Sequence, residues 1–323
     1  MCDALTDALN APAGRLAEVL IKKITKGENG QEMPDAVRQR LDTLASAPGR
    51  FGELARVRFA AEVAVLFERA PIWTAERIVP LFDWKSPDAP NVWNARKYSN
   101  YIGSPRLFEL TKTSFLELFG RPEIAEDDLR VYGEWLAAIM IANRSENAGY
   151  PITSTEARSA LRAAGARALS SVGHRLAVEM ESAKPEEKTA KWRGVVGSVF
   201  RSIWPLDADL QSRDVTFKLV QILCETGDAF PEAAEVITPF IRPEDPRQQT
   251  AAYSISEADD VLYASSPERM LDLVAAVVGD APPRSIYGLA KALDRILRHA
   301  PELAAARKFQ RLVRTRATTN ESD

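Results

Sequence analysis

The stretch KPEEKTAKWRGVVGSVFRSIWP, Lys184 to Pro205, decides the fold class. Trp192, Val195, Val196, Val199, Phe200, Ile203 and Trp204 fall at i, i+3, i+4, i+7, i+8, i+11 and i+12, an unbroken apolar stripe at helical spacing. Pro185 suits the first turn, where its missing N–H leaves no bond unmade, and Pro205 stops the helix. The next segment repeats the logic. Leu210, Phe217, Val220, Leu223 and Cys224 share one side, and Gly227 is placed as a left-handed C-terminal cap. So few residues join the two helices that they are expected to be antiparallel neighbours.

Working outward, Thr153 and Glu156 have the spacing of a capping box, in which hydroxyl and carboxylate satisfy free amides of the first turn. Ser266, Pro267 and Gly279 read as cap, first helical position and stop of another helix. Ile286, Leu289, Leu293, Ile296 and Leu297 mark a further stripe, and Leu303, Phe309, Leu312 and Val313 continue beyond a break at Pro301. No pair of alternating segments has hairpin turn chemistry between them. The expected fold is all-α.

The 323 residues can bury a substantial core, and 46% hydrophobic with 27% charged residues is an ordinary balance for a folded chain. Cys2 and Cys224 are the only cysteines, which argues against a disulfide framework and for a reducing, cytoplasmic setting. No run approaches the length of a membrane span, so no membrane partner is expected. The start, MCDALTDALNAPAGR, lacks the basic and apolar regions of a signal peptide.

Internal repetition shapes the expected architecture. APAGRLAEVL (11–20), APGRFGELAR (47–56) and SPRLFELTK (104–112) each read as a helix start with Pro, then Arg, then Glu at similar spacing. A second frame, Ala-Glu-x-Ile-x-Pro, occurs at Ala75 to Pro80 and again at Ala234 to Pro239, as a short helix and its proline stop. The uneven periods point to an irregular α-solenoid of antiparallel helical hairpins, about a dozen helices long. Its halves are 1–150, containing an aromatic loop at 83–103, and 151–323, with basic C-terminal helices; they form one continuous domain.

That loop, DWKSPDAPNVWNARKYSNYIG, has no helical stripe, and a loop of such length in a compact domain is commonly functional or disordered. Its Trp84, Trp93, Arg96, Lys97, Tyr98 and Tyr101 are the candidate partner-binding residues, since Trp, Tyr and Arg dominate interface hot spots. Interleaved with cations, the same rings fit stacking on nucleotide bases. A plainer role for them is to plug the loop onto neighbouring helices.

Charge offers a second candidate. The formal net charge is −3, but 12 acidic and 3 basic residues lie between Glu225 and Asp280 (net −9). Between Arg284 and Arg316 there are 9 basic and 2 acidic (net +7). Lys291, Arg295 and Arg298 share one helix face, as do Arg307, Arg311 and Arg314. The last three suit nucleic-acid phosphates; alternatively, the basic faces neutralise the acidic segment or stand in solvent.

Parts for catalysis are missing, so no catalytic, metal or cofactor residue is named. His174 and His299 have no partner at ligand spacing. Gly194 to Ser198 lies inside the strongest helix rather than in a phosphate loop after a strand. The acid pairs Glu186 with Glu187 and Asp259 with Asp260 are adjacent, so they face different directions on a helix.

Pro48 to Leu54, the Trp73 to Trp84 segment, Trp93, and PRLFELTKTSF from Pro105 together resemble the C-terminal helical region of bacterial sirtuin-like (SIR2-family) anti-phage defence proteins, over residues 1–140. The resemblance implies a sensing or scaffolding region whose NAD-consuming domain lies elsewhere, and no catalytic residue carries over. Because the repeat begins near Ala11, the chain also reads as a piece of a longer protein, although a short native gene would look alike. The function expected is therefore a non-enzymatic module that binds another protein, either a phage component or a partner domain of a larger defence protein. Nucleic-acid binding through the basic C-terminal helices is the alternative, and an enzyme with an unrecognised site is the third reading.

Overall fold

The computed structural model describes residues 4–25, 33–99, 101–244, 250–280 and 286–317. Among them all regular structure is helical. None of the helices is long and apolar enough to cross a membrane. The helices are shorter and more numerous than the dozen expected, because prolines and tight turns divide the apolar runs.

Lys184 to Pro205 is an example. It folds as a 3₁₀ turn, Pro185–Glu187, an α turn, Lys188–Lys191, a π turn, Trp192–Val196, and an α-helix, Gly197–Ile203. Every residue of the apolar stripe except the half-exposed Val195 is buried. The π turn crowds the Trp192 ring against residue 197. A Cβ there would lie 2.8 Å from Trp192 Cε2, which is why glycine occupies the position.

The chain divides into two compact units, Met1–Trp135 with Ala148–Ala160, and Leu136–Asn147 with Leu161–Asp323. In the first, Gly49–Ala61 is the central helix and packs against Ala4–Asn10, Pro12–Thr25, Asp35–Ala45 and Ala89–Arg96. It buries Leu54, Ala55, Val57, Phe59, Ala60 and Ala61, so its apolar residues wrap most of its circumference, as expected of a helix inside a core. The three repeated helix starts all begin helices: Pro12–Thr25, Gly49–Ala61 and Pro105–Leu118. A further helix, Ala4–Asn10, precedes the first of them.

The capping box forms as its spacing predicts. The Thr153 amide donates to Glu156 Oε2 at 2.8 Å, and the Glu156 amide donates to Thr153 Oγ1 at 3.2 Å. Lys112 adds an ion pair to the same carboxylate at 2.7 Å.

In the second unit the most extensive packing is between Ala166–Glu181 and Arg213–Cys224, and the latter also rests on Thr250–Glu257. Thus the chief partner of Arg213–Cys224 is not the preceding helix, Gly197–Ile203, as the short connector implied. Connector length limits distance, while the buried faces choose the neighbour. Gly227 does take positive φ (+55°), but it opens a 3₁₀ turn, Gly227–Ala229, three residues after the helix has ended. Ser266 and Gly279 flank Pro267–Val278 as expected, though the Ser266 hydroxyl makes no capping bond. Cys224 is a free, half-buried thiol; Cys2 lies outside the described residues.

Both copies of Ala-Glu-x-Ile-x-Pro have one geometry. Pro71–Arg77 runs through Ile78 into the 3₁₀ turn Val79–Phe82, and Phe230–Ile237 runs into the 3₁₀ turn Thr238–Phe240. The proline takes the second position of each 3₁₀ turn, where its fixed φ fits and no N–H is required. It therefore tightens the helix into a last turn rather than simply ending it.

Candidate binding cleft

The segment 83–103 is not the long loop that the sequence implies. Residues Ala89–Arg96 form an α-helix with Pro90 in its first turn, and this helix buries Ala89, Val92, Trp93, Ala95 and Arg96. No stripe is visible in the sequence because the helix is enclosed on several sides and one of its buried residues is charged. Arg56 anchors its start. The guanidinium grips Asp88 through Nε (2.9 Å) and Nη2 (3.1 Å), while Nη1 donates to the carbonyls of Ala45 and Ala47.

This helix separates the proposed partner-binding residues. Trp93 is only 3% exposed, and its indole N–H donates to the Phe82 carbonyl at 3.0 Å. Its ring meets Phe82 edge-on at 4.8 Å and Tyr132 at 5.7 Å, and the Tyr132 hydroxyl donates to the Trp93 carbonyl. Arg96, also 3% exposed, donates from Nη2 to the carbonyls of Tyr101 (2.7 Å) and Ile102 (2.8 Å) and lies 4.7 Å from the Trp135 ring. Neither side chain offers surface to a partner protein, which corrects their assignment as contact residues.

Lys97 is largely buried too, paired with Asp128 at 2.7 Å. Tyr98 and Tyr101 do face solvent. The Tyr101 hydroxyl donates to Glu68 at 2.6 Å, and that bond to a carboxylate pushes its pKa up to about 12.

Trp84 remains at the surface, half-buried, with its indole N–H on the Ser114 carbonyl at 2.9 Å. It stands in the wall of a cleft of about 690 Å³ between the 3₁₀ turn Val79–Phe82 with its following residues and the helix Pro105–Leu118. The volume is within the range of small-molecule pockets. Asp83, Lys85, Leu110, Glu117 and Arg121 contribute to the lining. Arg121 holds Glu117 at 2.6 Å and lies 5.0 Å from the Trp84 ring. Leu110 is 49% exposed although it sits on the same helix as the buried Phe108 and Phe115. An apolar residue out of phase with its helix's buried face is the sequence signal that could have marked the cleft.

The basic C-terminal helices are largely matched by the acidic segment. Lys291 pairs with Glu257 at 2.8 Å, Arg295 with Asp260 at 3.0 Å, Lys308 with Asp272 at 2.5 Å and Arg311 with Asp280 at 2.9 Å. His299 Nε2 also meets Asp260 at 2.9 Å, and the Asp259 carboxylate accepts the Val261 amide as a helix cap. The guanidinium of Arg295, followed by His299, holds the Asp260 carboxyl below its ordinary range. Arg307 and Arg314 are exposed on Arg307–Ala317. Among the described residues no group of three or more His, Cys, Asp or Glu is gathered where it could hold a metal ion.

Comparison with known proteins gives no family: no family model, curated protein or solved structure matches the chain.

Proposed function

We propose that the chain is a non-enzymatic protein-binding module whose docking site is the cleft beside Trp84. The observation that carries this reading is the lining itself. An aromatic face, an exposed leucine and charges of both signs, Lys85 and Arg121 with Asp83 and Glu117, surround one open volume of about 690 Å³. Mixed charge suits a polypeptide segment better than a phosphate backbone, which asks for one sign. Tyr98 and Tyr101 offer further exposed aromatic surface.

A stacked, solenoid-like order of helices belongs to the same reading, supported by the recurring helix starts. The setting in a bacterial anti-phage protein, with a phage component or a partner domain as ligand, rests on the sequence resemblance. Nucleic-acid binding through Arg307, Arg311 and Arg314 has less support, because Arg311 and the neighbouring Lys308 are paired with aspartates.

The test is affinity capture from phage-infected and uninfected cells, comparing the native chain with Leu110→Asp and Lys85→Glu. Both changes are at the surface, so the expected outcome is loss of a captured protein with an unchanged melting temperature. Capture that survives both substitutions refutes the cleft. A salt-sensitive shift of DNA or RNA, lost on changing Arg307 and Arg314 to Glu, would favour the nucleic-acid reading instead.

A further inference from the structure

Arg56, Arg295 and Arg96 show how this chain holds a guanidinium away from water. Arg56 has two backbone carbonyls, from Ala45 and Ala47, and the carboxylate of Asp88. Arg295 has the same set. Its Nη1 donates to the carbonyls of Ser256 (3.0 Å) and Ala258 (2.7 Å), its Nε and Nη2 reach Asp260 Oδ1 (3.3 and 3.0 Å), and the Tyr263 ring lies 4.1 Å away.

Arg96 repeats this arrangement up to a point. It has two carbonyls, Tyr101 and Ile102, and an aromatic ring, Trp135. No carboxylate completes it. Among the described residues Arg96 makes no ion pair, and its buried Nη1 has no hydrogen-bond partner. Glu62, whose charge Arg96 senses, has its own contact with Arg58 at 2.9 Å. Burial pulls the Arg96 guanidinium down to about 10, which still leaves it charged at neutral pH. Buried charges are ordinarily paired, so Arg96 departs both from the general rule and from its two counterparts in this chain.

Arg96 also lines a small cavity of about 20 Å³, room for at least one water-sized group. The walls are apolar and aromatic: Val63, Phe82, Trp93, Phe108, Phe115 and Trp135. Thr111, also in the lining, spends its hydroxyl proton on the carbonyls of Leu107 and Phe108. The charge available to a guest is therefore the positive one of Arg96. Phosphate and sulfate exceed the space.

We propose that this cavity is a binding site for a small monovalent anion, a halide or a single carboxylate group, which bonds Arg96 Nη1 and supplies the counter-charge that Asp88 and Asp260 supply to Arg56 and Arg295 through Nε and Nη2. The site is independent of the partner proposed for the cleft.

Two measurements on the full chain test it. Crystals soaked in sodium bromide are expected to show an anomalous peak within about 3.5 Å of Arg96 Nη1. Melting in sodium chloride or sodium formate is expected to rise saturably above that in sodium gluconate at equal ionic strength, because gluconate is too large to enter. Arg96→Met should abolish the difference. If that variant does not fold, bromide and formate soaks of native crystals decide. A bromide peak assigns a free halide, and formate in the cavity without bromide assigns a carboxylate. Water in the cavity with no anomalous signal, and equal melting in all three salts, overturns the proposal.

Discussion

The two copies of Ala-Glu-x-Ile-x-Pro agree in backbone and differ in what closes them. Ile78 has φ −107° and ψ −44°, its counterpart Ile237 has φ −93° and ψ −37°, and both side chains are fully buried. In the first copy the chain returns as a helix, and the Trp93 indole binds the carbonyl at the end of the 3₁₀ turn. In the second, the exit is fixed by Thr216, whose hydroxyl donates to the Arg242 carbonyl at 2.8 Å and accepts from the Arg242 amide at 2.9 Å. Phe240 then rests against Phe200 and Trp204. A short frame thus fixes a helix and its tight last turn, while a different side chain ties down each exit. The first copy uses a large ring on a new helix, and the second a small hydroxyl on an existing one.

The largest test of this contrast is Trp93→Ala, expected to cost about 3–5 kcal/mol in urea denaturation, because it leaves a cavity and orphans the Phe82 carbonyl. Trp204→Ala in the second copy should cost less, since the exit there depends on Thr216. An equal or greater loss at Trp204 would end the claim that different side chains close the two copies.

Thr216→Val comes next. Keeping the shape while deleting the hydroxyl should cost about 1–3 kcal/mol and speed hydrogen exchange at the Arg242 amide, with residues 79–103 unaffected. Unchanged exchange would show that another group fixes the second exit.

The smallest effect is one of pH. Lys112 first, then Thr153, holds the Glu156 carboxyl down from 4.5 to about 2. A depressed carboxyl stabilises the fold above its unfolded value and loses that contribution as pH falls through its folded value. Between 4.5 and about 2 the Pro105–Leu118 wall of the cleft should therefore loosen, seen as faster exchange, while the second copy stays unchanged. Glu156→Gln should flatten the dependence. A third of the Glu156 side chain is exposed, so solvent screening keeps this effect modest.

Much of the fold was legible wherever one helix face meets solvent. The stripe from Trp192 to Trp204, the three Pro-Arg-Glu helix starts and the Thr153 box all depend on local spacing, and all form. The π turn at Trp192–Val196 was not legible, because a stripe at regular spacing gives no sign of one extra residue in a turn. The helix Ala89–Arg96 was hidden for the opposite reason: enclosure removes the polar face that makes a pattern. Its misreading scattered the proposed site. Trp93 and Arg96 of the segment 83–103 face inward, and beyond the neighbours of Trp84 itself the cleft is lined by residues of Pro105–Leu118 and by Arg121, outside the segment.

The bracket around Arg96 also bears on the order in which the first unit folds. Its carbonyl partners, Tyr101 and Ile102, lie five and six residues ahead, so they reach the guanidinium by closing a small local ring. Rings of about ten residues close in roughly 10–100 ns, well before distant helices can meet. The backbone can therefore take over from water around this charge before Trp135 and the other aromatic walls arrive, sparing the chain the burial of a bare cation late in assembly. Changes at Tyr101 or Ile102 that strain this ring should accordingly slow folding more than they speed unfolding.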